Sequence, residues 1–165
     1  MLRLAEIMRA STVKRWHIVN TSRTQSLAEH SFNVCFIARA LCRHMGINDE
    51  NVMKAALEHD LDEVVLGDLP TPFKKEMAKR GVKVDMAKMN CAPERELNPM
   101  ERDVLKMADY IDAIHFLTEN GVGQHANEVR EGIADDLDRF LEGFPDRIAE
   151  QYDDILTKVM KELYG

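Results

Sequence analysis

Proline, glycine, cysteine and aromatic residues are all scarce, with 5 Pro, 8 Gly, 3 Cys and 6% aromatics among 165 residues. So little Gly and Pro excludes collagenous and Pro/Gly-rich low-complexity chains. The cysteines, Cys35, Cys42 and Cys91, include no CxxC pair, and their odd number excludes a closed disulfide framework. Cys35 and Cys42 stand seven apart on a segment with helical patterning. That is about 10 Å along a helix axis, beyond the roughly 7 Å between Cα atoms that a disulfide spans. Reduced thiols in a cytoplasmic protein are the expectation. No run approaches the roughly 18 to 20 apolar residues of a membrane helix, and the opening Met1-Leu-Arg-Leu-Ala-Glu-Ile7 lacks the layout of a secretion signal. Three nucleotide- or metal-binding signatures are also missing: a GKS/GKT phosphate loop, HExxH, and any Glu-x-x-His pair. Finally, positive charge is short, at 22 Lys+Arg against 29 Asp+Glu, for a net charge of −7. That balance excludes broad contacts to a polymeric nucleic acid, yet a small anion needs only a few local cations.

What is present is helix-period patterning, without repeats or an interdomain linker. One domain spanning residues 1–165 is expected, all-α, with about six helices. A short first segment carries Leu4, Ile7 and Met8 on one side, and Lys14–Gln25 reads as a loop or a weak helix end. Ser26-x-x-Glu29 is a capping-box pattern opening a helix with His30, Val34, Ile37 and Leu41 on one stripe, stopping near Gly46. The next helix is expected from about Asn48 to Gly67, with Val52, Ala56, His59 and Glu63 on one face, followed by a rigid loop over Gly67-Asp-Leu-Pro-Thr-Pro72. Phe73–Arg95 is less clear, with Gly81 as its divider. Asn98-Pro99-Met100-Glu101 is a strong helix start, and that helix runs to Gly121. Two amphipathic helices follow, over about 124–164. Gly121-Val-Gly-Gln-His-Ala126 formally matches a dinucleotide fingerprint, but it follows a helix rather than a strand.

Four positions combine into one chemistry: His30, the dipeptide His59-Asp60, and Asp109. Two imidazoles and two carboxylates form a mixed nitrogen and oxygen set. Such a set suits Zn, Fe, Mn, Co or Ni better than Ca and leaves coordination positions for water or substrate. Glu63, four residues after His59, projects from the same helix face and is placed to orient or deprotonate a water. Arg15, Lys74 and Lys106 supply positive charge for phosphates. Trp16, the single tryptophan, serves either as core or as a stacking face for a base, worth about 1 to 3 kcal/mol. Asp112, three residues after Asp109, is either a hydrogen-bond partner behind the metal ligands or a helix acid of no consequence. His44, His115 and His125 have no partner pattern.

His30…His59-Asp60…Asp109 resembles the H…HD…D signature of the HD phosphohydrolase superfamily. The neighbouring pieces Arg15-Trp16, Ala28-Glu-His-Ser31, His59-Asp-x-x-Glu63, Gly67–Pro72, Lys74 and Lys106-x-Ala-Asp109 resemble one branch of it, the small bacterial and phage 5′-deoxynucleotidases and deoxynucleoside triphosphate hydrolases. The motif core covers about residues 15–115. The resemblance implies an HD-fold bundle and a divalent metal (Co, Mn, Zn, Mg, Fe or Ni) on His30, His59, Asp60 and Asp109. It also implies Glu63 and Asp68 as catalytic acids, a base and sugar pocket with Trp16, Ile18, Thr71 and Pro72, and a homo-oligomer. Arg15-Trp-His-Ile18 departs from the bacterial monophosphatases, where a proline follows the tryptophan. It is more similar to the phage dATP triphosphohydrolases, where a branched apolar residue walls an adenine pocket, and an apolar wall there disfavours a guanine amino group.

The expected function is therefore metal-dependent hydrolysis of 2′-deoxynucleoside 5′-phosphates, leaning to release of triphosphate from dATP. The alternative is dephosphorylation of deoxynucleoside monophosphates. A non-catalytic nucleotide-binding module ranks lower, since the full ligand set and Glu63 are present. An iron oxygenase ranks lower too, since Leu61–Leu69 holds none of the extra His ligands that a second iron needs.

Overall fold

A computed structural model of the chain describes residues 2–82 and 96–165. Among these residues the order is α1 (Leu4–Ile7), a 3₁₀ turn (Met8–Ser11), α2 (Leu27–Met45), α3 (Glu50–Glu58), α4 (Glu63–Leu66), α5 (Thr71–Lys79), α6 (Pro99–Asn120), α7 (Gly123–Glu142) and α8 (Asp146–Tyr164). Six of these helices have nine or more residues, and the all-α reading holds. No helix among the described residues is long and apolar enough to cross a membrane.

The core forms where the α2 stripe meets α3, α6 and α8. Val34, Ala38 and Leu41 of α2 share it with Val104, Met107 and Ile111 of α6, all fully buried. Tyr152, Ile155 and Val159 of α8 belong to the same core, so the C-terminal helix completes the bundle. Its Tyr152 hydroxyl donates to Asp103 Oδ2 of α6 at 3.2 Å. Cys35 and Cys42 are buried free thiols, and burial pushes the Cys42 thiol up to about 11.

Local signals explain most of the helix ends. Ser26 Oγ accepts from the Glu29 amide, but the reciprocal half of the box does not form, because the Glu29 carboxylate lies 2.7 Å from Arg23 Nη1 instead. Gly46 ends α2 with φ of +68°, a backbone that L side chains rarely adopt. At α6 the box is complete: Asn98 Oδ1 accepts from the Glu101 amide and Glu101 Oε2 accepts from the Asn98 amide. Replacing Asn98 with Ala is expected to cost about 1 kcal/mol, read as a lower urea midpoint with an unchanged slope.

Two expectations are corrected. The helix expected over about 48–67 is broken at His59–Asp62 into α3 and α4. The His59 ring explains this: its Nδ1 lies 2.8 Å from the Ala56 carbonyl, the group that the Asp60 amide would occupy in a continuing helix. The backbone then tightens to three-residue turns, with Glu63 N donating to Asp60 O at 3.0 Å. The rigid loop is also shorter, because Thr71 and Pro72 already belong to the first turn of α5, where a missing amide hydrogen costs nothing. Gly81 follows α5 as expected. The rest of the unclear segment, 83–95 with Cys91, lies outside the described residues.

The loop before α2 is pinned at both ends. Lys14 bridges Ser26, and Thr21 bridges Gly121 at the end of α6. A Cβ on Gly121 would lie 2.5 Å from the Leu117 carbonyl, so this docking site requires glycine.

Candidate active site

His30 sits in the first turns of α2, four residues after the Ser26 cap, and is fully buried. Its Nδ1 lies 2.6 Å from Asp112 Oδ2. Its Nε2 faces Asp60 Oδ2 and Asp109 Oδ1, each at 3.5 Å. His59, closing α3, directs Nδ1 to the Ala56 carbonyl and places Nε2 3.4 Å from the same Asp60 oxygen. The two rings lie 5.2 Å apart at 51°. One ligand atom from each of His30, His59 and Asp60 falls within 4.8 Å of the others. Asp109 stands outside that trio, beside His30, with Oδ2 accepting from Lys106 Nζ at 3.1 Å.

The cluster fits a divalent metal on its own chemistry. Both Nε2 atoms are buried and have no hydrogen-bond partner. In each ring the other nitrogen is held by an acceptor, the arrangement that fixes the tautomer of a metal-ligating His and leaves the Nε2 lone pair free. Burial pushes His30 down, but the hydrogen bond to Asp112 and the nearby Asp60 carboxylate outweigh this and lift it to about 8. Burial likewise pushes Asp60 up, and the His30 hydrogen bond with the charges of His59, His30 and Arg15 overcomes it, holding Asp60 well below the usual carboxylate range. A divalent ion replaces such a proton when it binds.

Glu63 opens α4 and remains one turn beyond His59, because His59 and Asp62 keep helical dihedrals through the break. It is 2% exposed. Oε1 accepts from Lys74 Nζ at 3.1 Å, while Oε2 is buried without a hydrogen-bond partner, 4.0 Å from Arg15 Nη1. Burial, then the charges of Asp60 and Asp68, push it up to about 7 against the opposing Lys74 and Arg15. That places a proton-carrying carboxyl near neutrality beside the cluster. Asp68 lies in the loop before α5, its Oδ2 3.9 Å from His17 Nδ1.

Each of the three cations expected from the sequence rests on a carboxylate of the site. Arg15 Nη1 donates to Asp60 Oδ2 at 3.2 Å, Lys74 to Glu63, and Lys106 to Asp109. Lys106 Nζ also lies 4.3 Å from the Tyr110 ring centroid. Trp16 is half-buried, stacked parallel to Phe116 at 6.0 Å. Ile18, Thr71 and Pro72 are exposed, the last two in the turn of α5 that leads to Lys74.

Two residues escaped sequence reasoning. Gln25 and Asn33 both donate to Asp112, at 2.9 and 2.8 Å, so Asp112 is the buried acceptor behind His30 rather than an idle helix acid. Asn33 carried a usable signal, lying three residues after His30 on α2; Gln25 carried none. A cavity of about 270 Å³ adjoins this network, lined by Arg23, Asn33, His115, Phe116, Glu119 and Asn120 rather than by the metal-ligand cluster.

Comparison with known proteins agrees with this geometry. The profile of the family described as 5′-deoxynucleotidase YfbR-like matches residues 4–142. The dATP triphosphohydrolase of Cyanophage S-2L is 34% identical over 142 residues, covering 82% of this chain and 81% of that protein. The 5′-deoxynucleotidase of Vibrio cholerae serotype O1 is 31% identical over 147 residues, covering 73% and 76%. Among solved structures, the Cyanophage S-2L HD phosphohydrolase (DatZ), bound to dA and one catalytic Zn²⁺ ion, superposes with a TM-score of 0.79 at 27% identity, covering 99% of this chain and 97% of that one. Taken with the cluster of His30, His59 and Asp60, these matches place the chain in the 5′-deoxynucleotidase YfbR-like family of HD phosphohydrolases.

Proposed function

We propose that this chain hydrolyses dATP to deoxyadenosine and triphosphate, using a divalent metal held by His30, His59, Asp60 and Asp109. The observation that carries the reading is the pair of buried, unpartnered Nε2 atoms converging on the Asp60 carboxylate. The triphosphate version is supported by the phage relatives named dATP triphosphohydrolase and by a solved relative that holds dA and Zn²⁺. When bound, the metal polarises a phosphate oxygen and lowers the pKa of a coordinated water.

The protein's own groups do the rest. Arg15, Lys74 and Lys106 turn from the site carboxylates to the phosphates, the Arg fork donating to two oxygens at once. Water adds its oxygen to the α-phosphorus, the bond from phosphorus to the 5′ oxygen breaks, and a proton reaches that oxygen. Glu63 and Asp68 are the carboxyl groups available to move these protons. Trp16 offers its ring to the adenine, and Ile18, Thr71 and Pro72 line the base and sugar. Buried free Cys35 and Cys42 support a reducing compartment such as the cytoplasm. The net charge of −7 disfavours polymeric nucleic acid. The exposed ring pair of Phe32 and Phe36 supports a homo-oligomer.

The second reading, a 5′-deoxynucleotidase, is favoured by the family description and the Vibrio relatives. Products separate the two. Protein incubated with Zn²⁺, Co²⁺, Mn²⁺ or Mg²⁺ is expected to release tripolyphosphate from dATP, whereas inorganic phosphate from deoxynucleoside monophosphates alone would establish the second reading. Glu63→Gln should lower kcat by about 10²- to 10⁴-fold while Zn²⁺ still binds, since Glu63 is not among the ligands.

A further inference from the structure

We propose that Gln25 is a positioning residue that locks the nucleotide-facing turn to the metal-binding histidine. The inference rests on the functional reading above for the roles of Trp16 and His30. Gln25 is fully buried and immediately precedes the Ser26 cap of α2. Three of its groups are engaged. Its backbone carbonyl accepts from the Arg15 amide at 2.9 Å. Its Oε1 accepts from the Trp16 indole Nε1–H at 2.8 Å. Its Nε2 donates to Asp112 Oδ2 at 2.9 Å, the same oxygen that faces His30 Nδ1 at 2.6 Å.

The orientation of the amide is fixed by chemistry. An indole only donates and an ionised carboxylate only accepts, so Gln25 satisfies both with one orientation and with no other. Asn33 Nδ2 donates to the other Asp112 oxygen, Oδ1, at 2.8 Å, so both carboxylate oxygens are engaged. A continuous chain of hydrogen bonds therefore runs from Trp16 through Gln25 and Asp112 to His30.

The Trp16 end of this chain is strained. Its φ is +64°, the one positive value for a non-glycine residue among the described residues. Such a residue persists only where its surroundings over-determine it, and strain of this kind gathers at ligand sites. Gln25 supplies one restraint; Phe116, one turn beyond Asp112 on α6, supplies another by stacking on the ring. One buried amide thus grips the neighbouring phosphate-facing and base-facing residues and braces the acceptor that sets the tautomer of His30.

Because Trp16 is the single tryptophan, its emission reports the far end of the chain directly. Metal-free full-length protein is titrated with Zn²⁺, which has no redox chemistry of its own, and a chromophoric chelator reads the affinity in parallel. Wild-type emission is expected to change and to saturate with metal occupancy. In Gln25→Met, with helical circular dichroism retained, the emission change is lost and Zn²⁺ binds about 10-fold more weakly. Trp16→Phe, which keeps a ring but removes the indole donor, should weaken Zn²⁺ by about 2- to 10-fold, and the double variant should be no weaker than Gln25→Met alone. Equal emission changes in wild type and Gln25→Met, a silent wild-type Trp16, or additive affinity losses overturn the proposal. If Gln25→Met does not fold, Trp16→Phe decides alone, and an unchanged Zn²⁺ affinity overturns it. A wild type that binds no Zn²⁺ and hydrolyses no dATP removes the functional reading and this inference together. Hydrolysis with a silent Trp16 removes the inference only.

Discussion

Asp60→Ala is expected to lower dATP turnover by at least about 10⁴-fold, or about 5 kcal/mol in transition-state stabilisation, while the helical bundle stays folded. Asp60 Oδ2 is where three groups meet: His30 Nε2 at 3.5 Å, His59 Nε2 at 3.4 Å and Arg15 Nη1 at 3.2 Å. Removing the carboxylate takes away one of the proposed metal ligands and leaves the Arg15 guanidinium with only the Glu63 carboxylate, 4.0 Å away. Zn²⁺ affinity should fall by at least about 100-fold, more than for loss of an outer hydrogen-bond partner. Folding stability should change far less, because the main core of α2, α3, α6 and α8 does not include Asp60. Circular dichroism melts and chelator competition separate the two effects. Turnover retained within 10-fold of wild type would remove the metal site as drawn.

The parts of this site that were legible in the sequence are those whose chemistry is local or carried by residue type. Asn98 and Glu101 cap α6 as their spacing requires, since each needs only a backbone amide three residues away. His30, His59 and Asp60 stand out because such groups are rarely buried without a purpose, and they do come together. The break at His59 was hidden because it arises from competition: the ring nitrogen takes the Ala56 carbonyl, which helix periodicity assigns to the Asp60 amide. Thr71 and Pro72 read as loop because proline is a breaker in mid-helix, yet the first turn tolerates it. Gln25 was invisible for a different reason. Its side-chain partners are 9 and 87 residues away, and neither distance leaves a periodic trace. The left-handed backbone at Trp16 leaves none either, since the residue type argues against it. The candidate ligands and Asp112 behind them are thus readable from residue type and spacing, whereas Gln25, which joins Asp112 to Trp16, emerges only from tertiary packing.

Asp112 makes this distinction testable, with the largest expected effect on stability. It is fully buried on α6 and accepts from Gln25, Asn33 and His30. Asp112→Ala strands the amide donors of Gln25 and Asn33 and the Nδ1 of His30 in the interior. Each orphaned buried donor costs about 1 to 3 kcal/mol, and with partial relaxation the total should reach about 3 to 5 kcal/mol, the range for breaking a buried polar cluster by removing one partner. Urea unfolding of the metal-free protein measures it. Asp112→Asn isolates the effect on the metal. The Asn amide keeps the shape and one acceptor oxygen, but it places an NH₂ group among three donors. If the amide oxygen takes the Oδ1 position, it keeps only Asn33, and the NH₂ faces both Gln25 Nε2 and His30 Nδ1, forcing the ring proton onto Nε2, the atom proposed to ligate. If the oxygen takes the Oδ2 position instead, Gln25 and His30 keep their shared acceptor, but that acceptor is now neutral and therefore weaker, and Asn33 faces the NH₂ group. In either orientation Zn²⁺ affinity should fall by about 10- to 100-fold, with a smaller loss of stability than in Asp112→Ala. An Asn variant with wild-type Zn²⁺ affinity would show that the negative charge behind His30 does not contribute to metal binding. The alternative ordering, Asn more destabilising than Ala, would mean that the cavity left by alanine takes up water and satisfies the stranded donors.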